Sequence, residues 1–242
     1  MKKRFIFLFL IVNLLIFSQD ANTILKNIDN NQVYDSIKYE GEMIIYISGK
    51  KYVKTFKTLA RGNKEFFTEF TNQDDLGTKY LKIEGTLYVY SEDLEDVMQI
   101  TGHMLKESVM GSDLSYEDMT ENNTLSAQYN AKIVEEITYD GKNVWVLELT
   151  AKTKNVSYPK RKLWVEKDIY LPLKEELYSL SGAALKENKI IKYEKIKGKN
   201  FPVQIETRDL LRKNSKTEFI MKNIDLDVKI PDSVFSLKNL KK

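Results

Sequence analysis

The chain has no cysteine, so no disulfide staples it and no thiol is available as nucleophile or metal ligand. Its one histidine, His103, excludes multi-histidine zinc sites and leaves histidine-dependent hydrolysis a single candidate base. With four prolines and ten glycines in 242 residues, its turns rest mainly on Asn, Asp and Lys. It has no Pro/Gly/Ser-rich linker, no low-complexity run and no alignable repeat, so no boundary divides it. An apolar run long enough to cross a membrane is missing as well. Residues 5–17 are apolar apart from Asn13, which is short of the roughly 20 residues a spanning helix needs.

Lys2, Lys3 and Arg4 precede that run, and Ser18 follows it, which is the pattern of a secretion signal cleaved near Ser18. An uncleaved anchor is the alternative. Without the three basic residues the formal net charge falls from +3 to zero, so the basic isoelectric point belongs to the signal. A balanced remainder argues against nucleic-acid binding, which needs clustered positive charge. Residues 19–242 are long enough for one large domain.

What is present is dense alternation. Ile24, Leu25 and Ile28 recur at helical spacing, with Asp20 as N-cap and Asn30-Asn31 as stop, and predict one opening helix. Strands are predicted over 36–48, 52–60, 64–71, 79–84, 86–90, 97–101, 127–139, 143–151, 161–166, 173–179, 186–196, 201–209 and 217–228, with Gly49-Lys50-Lys51 as the first hairpin turn. These thirteen segments show no strand-helix-strand alternation, hence one antiparallel sheet large enough to curl. Alternation places Phe66, Phe70, Leu81, Ile83, Trp145, Leu147, Leu149, Phe201, Val203 and Ile205 on apolar faces, with Phe67, Glu69 and Lys82 pointing outward. The plainest reading of each apolar position is core.

Two constellations resemble chemistry without its geometry. His103, Ser112 and Asp113 contain the residue types of a triad, but Ser112 and Asp113 are adjacent in a turn and no G-x-S-x-G elbow presents the hydroxyl. A surface turn and a solvated histidine are expected instead. Glu92, Asp93, Glu95 and Asp96 lack the glycine and alternating oxygen spacing of a calcium loop, and read as a solvated acidic turn. Glu117-Asp118 reads as a helix surface.

The segment 110–119, MGSDLSYEDM, is the most distinctive stretch. Gly111 permits a turn, and Ser112 or Asp113 is placed to cap the helical turn after it. This GSD-(hydrophobic)-S-Y-E-D pattern of Met110, Gly111, Ser112, Asp113, Tyr116, Glu117 and Asp118 resembles the outer-membrane lipoprotein-sorting protein family, the LolA-like proteins. The stretches 77–90, GTKYLKIEGTLYVY, and 163–173, LWVEKDIYLPL, agree in order and spacing. The resemblance implies a mainly β fold: a single curved antiparallel sheet forming an incomplete, half-open barrel, with its apolar inner side covered by the first helix and 110–119. It implies a non-enzymatic periplasmic carrier, with no cofactor or metal, that binds the acyl chains of lipoproteins or a related lipid. The apolar positions named above would contact the ligand. The partners implied are an inner-membrane donor and an outer-membrane acceptor, the carrier itself being a monomer. In this family an early-strand arginine latches the lid, which makes Arg61 the latch candidate here. A lipid- or lipoprotein-sensing regulatory module of the same fold is the alternative function.

Overall fold

The computed structural model describes residues 20–32, 34–92, 95–121 and 124–241. The segment 1–18, read as a secretion signal, lies outside the described residues, as does Asp93 of the acidic turn. Helix α1 (Ala21–Gln32) begins where the sequence places it, with the Asp20 carboxylate accepting hydrogen bonds from Thr23 N at 3.0 Å and Thr23 Oγ1 at 3.2 Å. Ile24, Leu25 and Ile28 form its buried stripe, each contributing roughly 1.5–3 kcal/mol as an upper bound.

Among the described residues thirteen strands follow: β1 (Ile37–Ile47), β2 (Lys50–Arg61), β3 (Glu65–Phe70), β4 (Lys79–Ile83), β5 (Thr86–Ser91), β6 (Asp96–Ile100), β7 (Tyr129–Tyr139), β8 (Lys142–Ala151), β9 (Lys160–Glu166), β10 (Leu171–Tyr178), β11 (Ala184–Ile196), β12 (Lys199–Asp209) and β13 (Ser215–Leu226). Each overlaps one of the thirteen segments expected from alternation. The first hairpin turn is Ser48-Gly49 rather than Gly49-Lys50-Lys51. Both residues have positive φ, 50° and 80°, and Ile47 pairs directly with Lys50, a two-residue turn matched to the strand twist.

The strands form one antiparallel sheet in the order β6-β5-β4-β3-β2-β1-β13-β12-β11-β10-β9-β8-β7, which does not close into a barrel. Pairing of β1 with β13 in the middle leaves β6 and β7 as the free edges, although they are consecutive in sequence. The connection between them, 101–128, carries α2 (Tyr116–Thr120) and α3 (Leu125–Gln128) and lies with α1 on one face of the sheet, the inner face. Asp29 of α1 joins these pieces, its carboxylate accepting from Leu125 N at 2.8 Å and Ser126 N at 2.9 Å at the start of α3. The outer face is closed at β4 by the C-terminal stretch ending in α4 (Leu237–Leu240).

The face assignment holds for β3 and fails for β4. Phe66 pairs with Lys82 and Thr68 with Tyr80, and paired residues share a face, so Tyr80 and Lys82 point inward. Leu81 and Ile83 point outward, where Leu81 packs with Phe235 and Leu240. The expectation assumed one buried face. Here α4 and its approach bury the second face too, so alternation of apolar residues no longer identifies the inside.

The GSD segment is the fastening between the connection and the sheet. Met110 and Gly111 both take positive φ, 53° and 77°, turning the chain so that Ser112 and Asp113 are fully buried, not at the surface as expected. Asp113 Oδ2 accepts from Thr217 Oγ1 at 2.8 Å, and Oδ1 from Ser215 Oγ at 2.6 Å and Asp209 N at 3.1 Å. Asp113 N in turn donates to Thr217 Oγ1 at 2.9 Å. The Arg212 guanidinium donates to the carbonyls of Ser112 and Gly111. The cap of α2 is therefore not Ser112 or Asp113 but Ser115, whose N–H donates to Asp118 Oδ2 at 2.7 Å in a capping box.

Asp113→Ala leaves three donors without their acceptor in a buried site, and should lower the unfolding free energy by about 3 kcal/mol in urea titration. A loss below about 0.5 kcal/mol, the range of a surface change, would mean that this turn does not fasten the connection.

Candidate functional site

A cavity of about 230 Å³ lies between the inner face of β1–β4 and β13 and the connection running from Val109 to Glu121. Its walls are mostly apolar: Met43, Phe56, Phe66, Phe70 and Phe219 from the sheet, Val109, Leu114 and Met119 from above. The aromatic rings are packed on one another, Phe56 to Phe70 at 5.4 Å, Phe56 to Phe219 at 5.5 Å and Phe70 to Tyr80 at 5.7 Å between centroids. Gly41, paired with Phe56 across β1 and β2, has no side chain because the Phe56 ring lies where its Cβ would be. Burial holds the Tyr39 phenol up to about 12, so Tyr39 lines this wall as a neutral side chain.

The roof of the cavity is held by charge in addition to the packing of Leu114, Tyr116 and Met119 on the aromatic cluster. Arg161, on β9 beside Leu163 and Val165, is 7% exposed and donates to Glu121 and, at 2.9 Å, to Glu175. Its guanidinium lies over the rings of Tyr129 at 4.8 Å and Tyr158 at 5.6 Å. Burial pulls the Arg161 pKa down, but Glu175 and Glu121 outweigh it and keep the charge in place. Lys186 on β11 donates to Ser115 Oγ at 3.1 Å and to Asp118, which also accepts from Tyr158 OH at 2.6 Å. Asp118 and Glu121 both line the cavity, so the 117–118 pair is not the plain helix surface expected.

The residues expected at a ligand site separate into groups. Phe66 and Phe70 line the cavity. Trp145, Leu147 and Leu149 face inward but are core beneath Ile24, Leu25 and Ile28 of α1. Phe201 and Val203 pack with Ile37, Ala60 and Leu226, with the Tyr34 and Phe201 rings 6.2 Å apart. Ile205, half-buried on β12, pairs with Phe219 and Ile190. Leu81 and Ile83 are on the outer face. Arg61 is not the latch. It donates to Glu65 at 3.2 Å, to the Ile230 carbonyl at 3.0 Å and to Asp232 at 2.8 Å, and lies over Phe235, so it clamps the C-terminal stretch. Arg161 and Lys186 hold the roof instead. For Arg161 the signal was available, since it shares a period-two face with Leu163 and Val165 in KRKLWVE.

No triad is assembled, because His103 is exposed while Ser112 and Asp113 are fully buried. Glu92, Glu95 and Asp96 are exposed, as a solvated turn requires.

Burial raises the Glu121 carboxyl above its ordinary value of 4.5, opposed by Arg161 and reinforced by the like charges of Glu175 and Asp118. The folded state therefore holds this proton at a pH where the unfolded chain has released it. That contribution to stability is present at and below pH 4.5 and is lost as pH rises through the raised value. Gln imitates the protonated form, so the stability of Glu121→Gln relative to wild type should increase from pH 4.5 toward neutrality in urea titrations at each pH. A difference that stays constant or shrinks would show that Arg161 fully offsets the burial of the charge.

A family model described as "Uncharacterized protein" matches residues 62–242. No curated protein matches the sequence. Among solved structures, a DUF1329 family protein from Desulfovibrio piger is 27% identical and superposes with a TM-score of 0.83, covering 90% of this chain and 97% of that one. An outer membrane lipoprotein-sorting protein domain from Vibrio parahaemolyticus is 21% identical, TM-score 0.81, over 92% and 98% of the two chains. A LolA superfamily protein from Nitrosomonas europaea is 21% identical, TM-score 0.76, over 92% and 100%. The chain belongs to the family that this model describes, and it shares its fold with the DUF1329, lipoprotein-sorting and LolA superfamily structures.

Proposed function

We propose that the protein is a periplasmic carrier that shields an acyl chain, from a lipoprotein or a related lipid, on its way to the outer membrane. The observation that carries this reading is the apolar cavity between the sheet and a roof that is fastened by buried ion pairs as well as by apolar packing. Each methylene taken from water contributes about 0.8 kcal/mol, so a chain seated against Phe56, Phe70 and Phe219 needs no further chemistry to be held. At about 230 Å³ the cavity is roughly one and a half times the ~150 Å³ apolar cavity that takes up benzene. In this state it suits one short alkyl chain. Several chains require α2 to lift, which breaks the Arg161–Glu121 and Lys186–Asp118 pairs and leaves Asp113 as the fixed point. The likeness to a lipoprotein-sorting domain supports the cargo class and the compartment, and an inner-membrane donor and an outer-membrane acceptor are the partners such a route needs. No helix among the described residues is long and apolar enough to cross a membrane.

Purified protein should bind a fluorescent fatty-acid probe saturably. Phe70→Asp places a charge in the cavity wall and should weaken the probe at least about tenfold. Leu81→Ala, on the outer face, should cost about 2–4 kcal/mol of stability and leave probe affinity within about twofold. Folded wild-type protein with no affinity for any acyl probe would end the carrier reading. Equal effects of both substitutions on binding would remove this cavity as its site.

A further inference from the structure

Lys82 is a charged side chain facing into an apolar cavity, and it is only 5% exposed. Among the described residues its ammonium makes one hydrogen bond, to the Asn63 carbonyl at 3.1 Å. An ammonium carries three donors, so most of its capacity is turned to other neighbours. The cavity wall also contains three carboxylates, but each is engaged by a cation of its own: Glu65 by Arg61, Asp118 by Lys186 and Glu121 by Arg161. None of the ion pairs within 4.0 Å among the described residues involves Lys82. Burial accordingly lowers its pKa, with the more distant Glu121 charge opposing. A buried cation without a counterion is costly, and a core position opposite Phe66 would be filled more cheaply by an aliphatic residue of the same length. The arrangement is accounted for when the counterion arrives with the ligand.

We propose that Lys82 makes the cavity a receptor for a single-chain amphiphile with an anionic head, a carboxylate or a phosphate monoester, whose alkyl chain runs along Phe56, Phe70 and Phe219 while the head pairs with the ammonium. This rests on the acyl-carrier reading and narrows it, because a neutral acyl ester gives Lys82 no counterion. Two oxygens of either head match the donors that Asn63 leaves available, and such charge-assisted bonds gain strength from the apolar surroundings.

The test measures displacement of a fluorescent fatty-acid probe by decanoate, decyl phosphate, decanol and methyl decanoate, on the wild type and on Lys82→Met, Lys82→Gln and Lys82→Arg. The wild type should bind at least one of the anionic ligands at least about tenfold more tightly than decanol or the ester. The better of decanoate and decyl phosphate identifies the head. Lys82→Met should lose that preference while keeping decanol affinity within about twofold, and Lys82→Arg should keep it. Lys82→Gln retains a neutral donor for the Asn63 carbonyl, so it replaces Lys82→Met if that variant does not fold. Equal affinity of the wild type for all four ligands, or a preference that survives Lys82→Met or Lys82→Gln, overturns the proposal and leaves the carrier reading intact. Failure of the wild type to bind any of the four overturns both.

Discussion

Because β1 and β13 pair in the middle of the sheet, its two free edges are β6 and β7, which follow one another along the chain. Everything on the inner face follows from that pairing. The connection 101–128 has to travel from one edge to the other, and the short route lies across the sheet rather than around it. Once there, its buried backbone and side chains need partners. The Asp113 carboxylate finds them on β12 and β13, and Ser115, Asp118 and Glu121 find them on β9 and β11. The cavity is the space that this route leaves over β1–β4.

The roof differs from the floor in what holds it. Under α1 the contacts to the sheet are mainly aliphatic and aromatic, from Ile24, Leu25 and Ile28 to Leu147, Leu149 and Leu163, with hydrogen bonds to Asp29 and from Asn31 at its margin. Under α2 the apolar contacts of Tyr116 and Met119 are joined by buried ion pairs. Separating such pairs without water costs several kcal/mol, whereas separating them into water recovers much of that cost. On the carrier reading, a roof fastened partly in this way would stay closed while dry and release when solvent or a competing charge reached it. The same argument explains the Tyr129 and Tyr158 rings against Arg161. They shelter the guanidinium from water while offering it their faces.

Local alternation was enough to find every strand and α1, because both signals reside in a few neighbouring residues. It was not enough to decide which face of β4 is the inside. In KYLKI either face reads as acceptable once a second layer, here Phe235 and Leu240, covers the side opposite the cavity. Arg61 and Arg161 show the same limit. Both are strand arginines, and only their partners far along the chain, Asp232 for one and Glu121 for the other, separate a clamp on the C-terminal stretch from a hold on the roof. The GSD segment was recognisable as a pattern, but its role depends on Thr217 and Asp209, about a hundred residues downstream, and no local reading reaches that far.

The connection is joined covalently to both edges of the sheet, so even when lifted it remains close to the surface it leaves. Met119 and Leu114 are then an intramolecular competitor for the cavity, present at an effective concentration on the order of millimolar whatever the amount of protein. On the carrier reading proposed above, a lipid would have to displace this tethered rival, so its apparent affinity would be its intrinsic affinity reduced by the fraction of molecules with the roof open. Weakly matched amphiphiles would then fail that contest and not accumulate in the protein. Cargo that won it could still be discharged, since the roof is always at hand to take the place of whatever leaves.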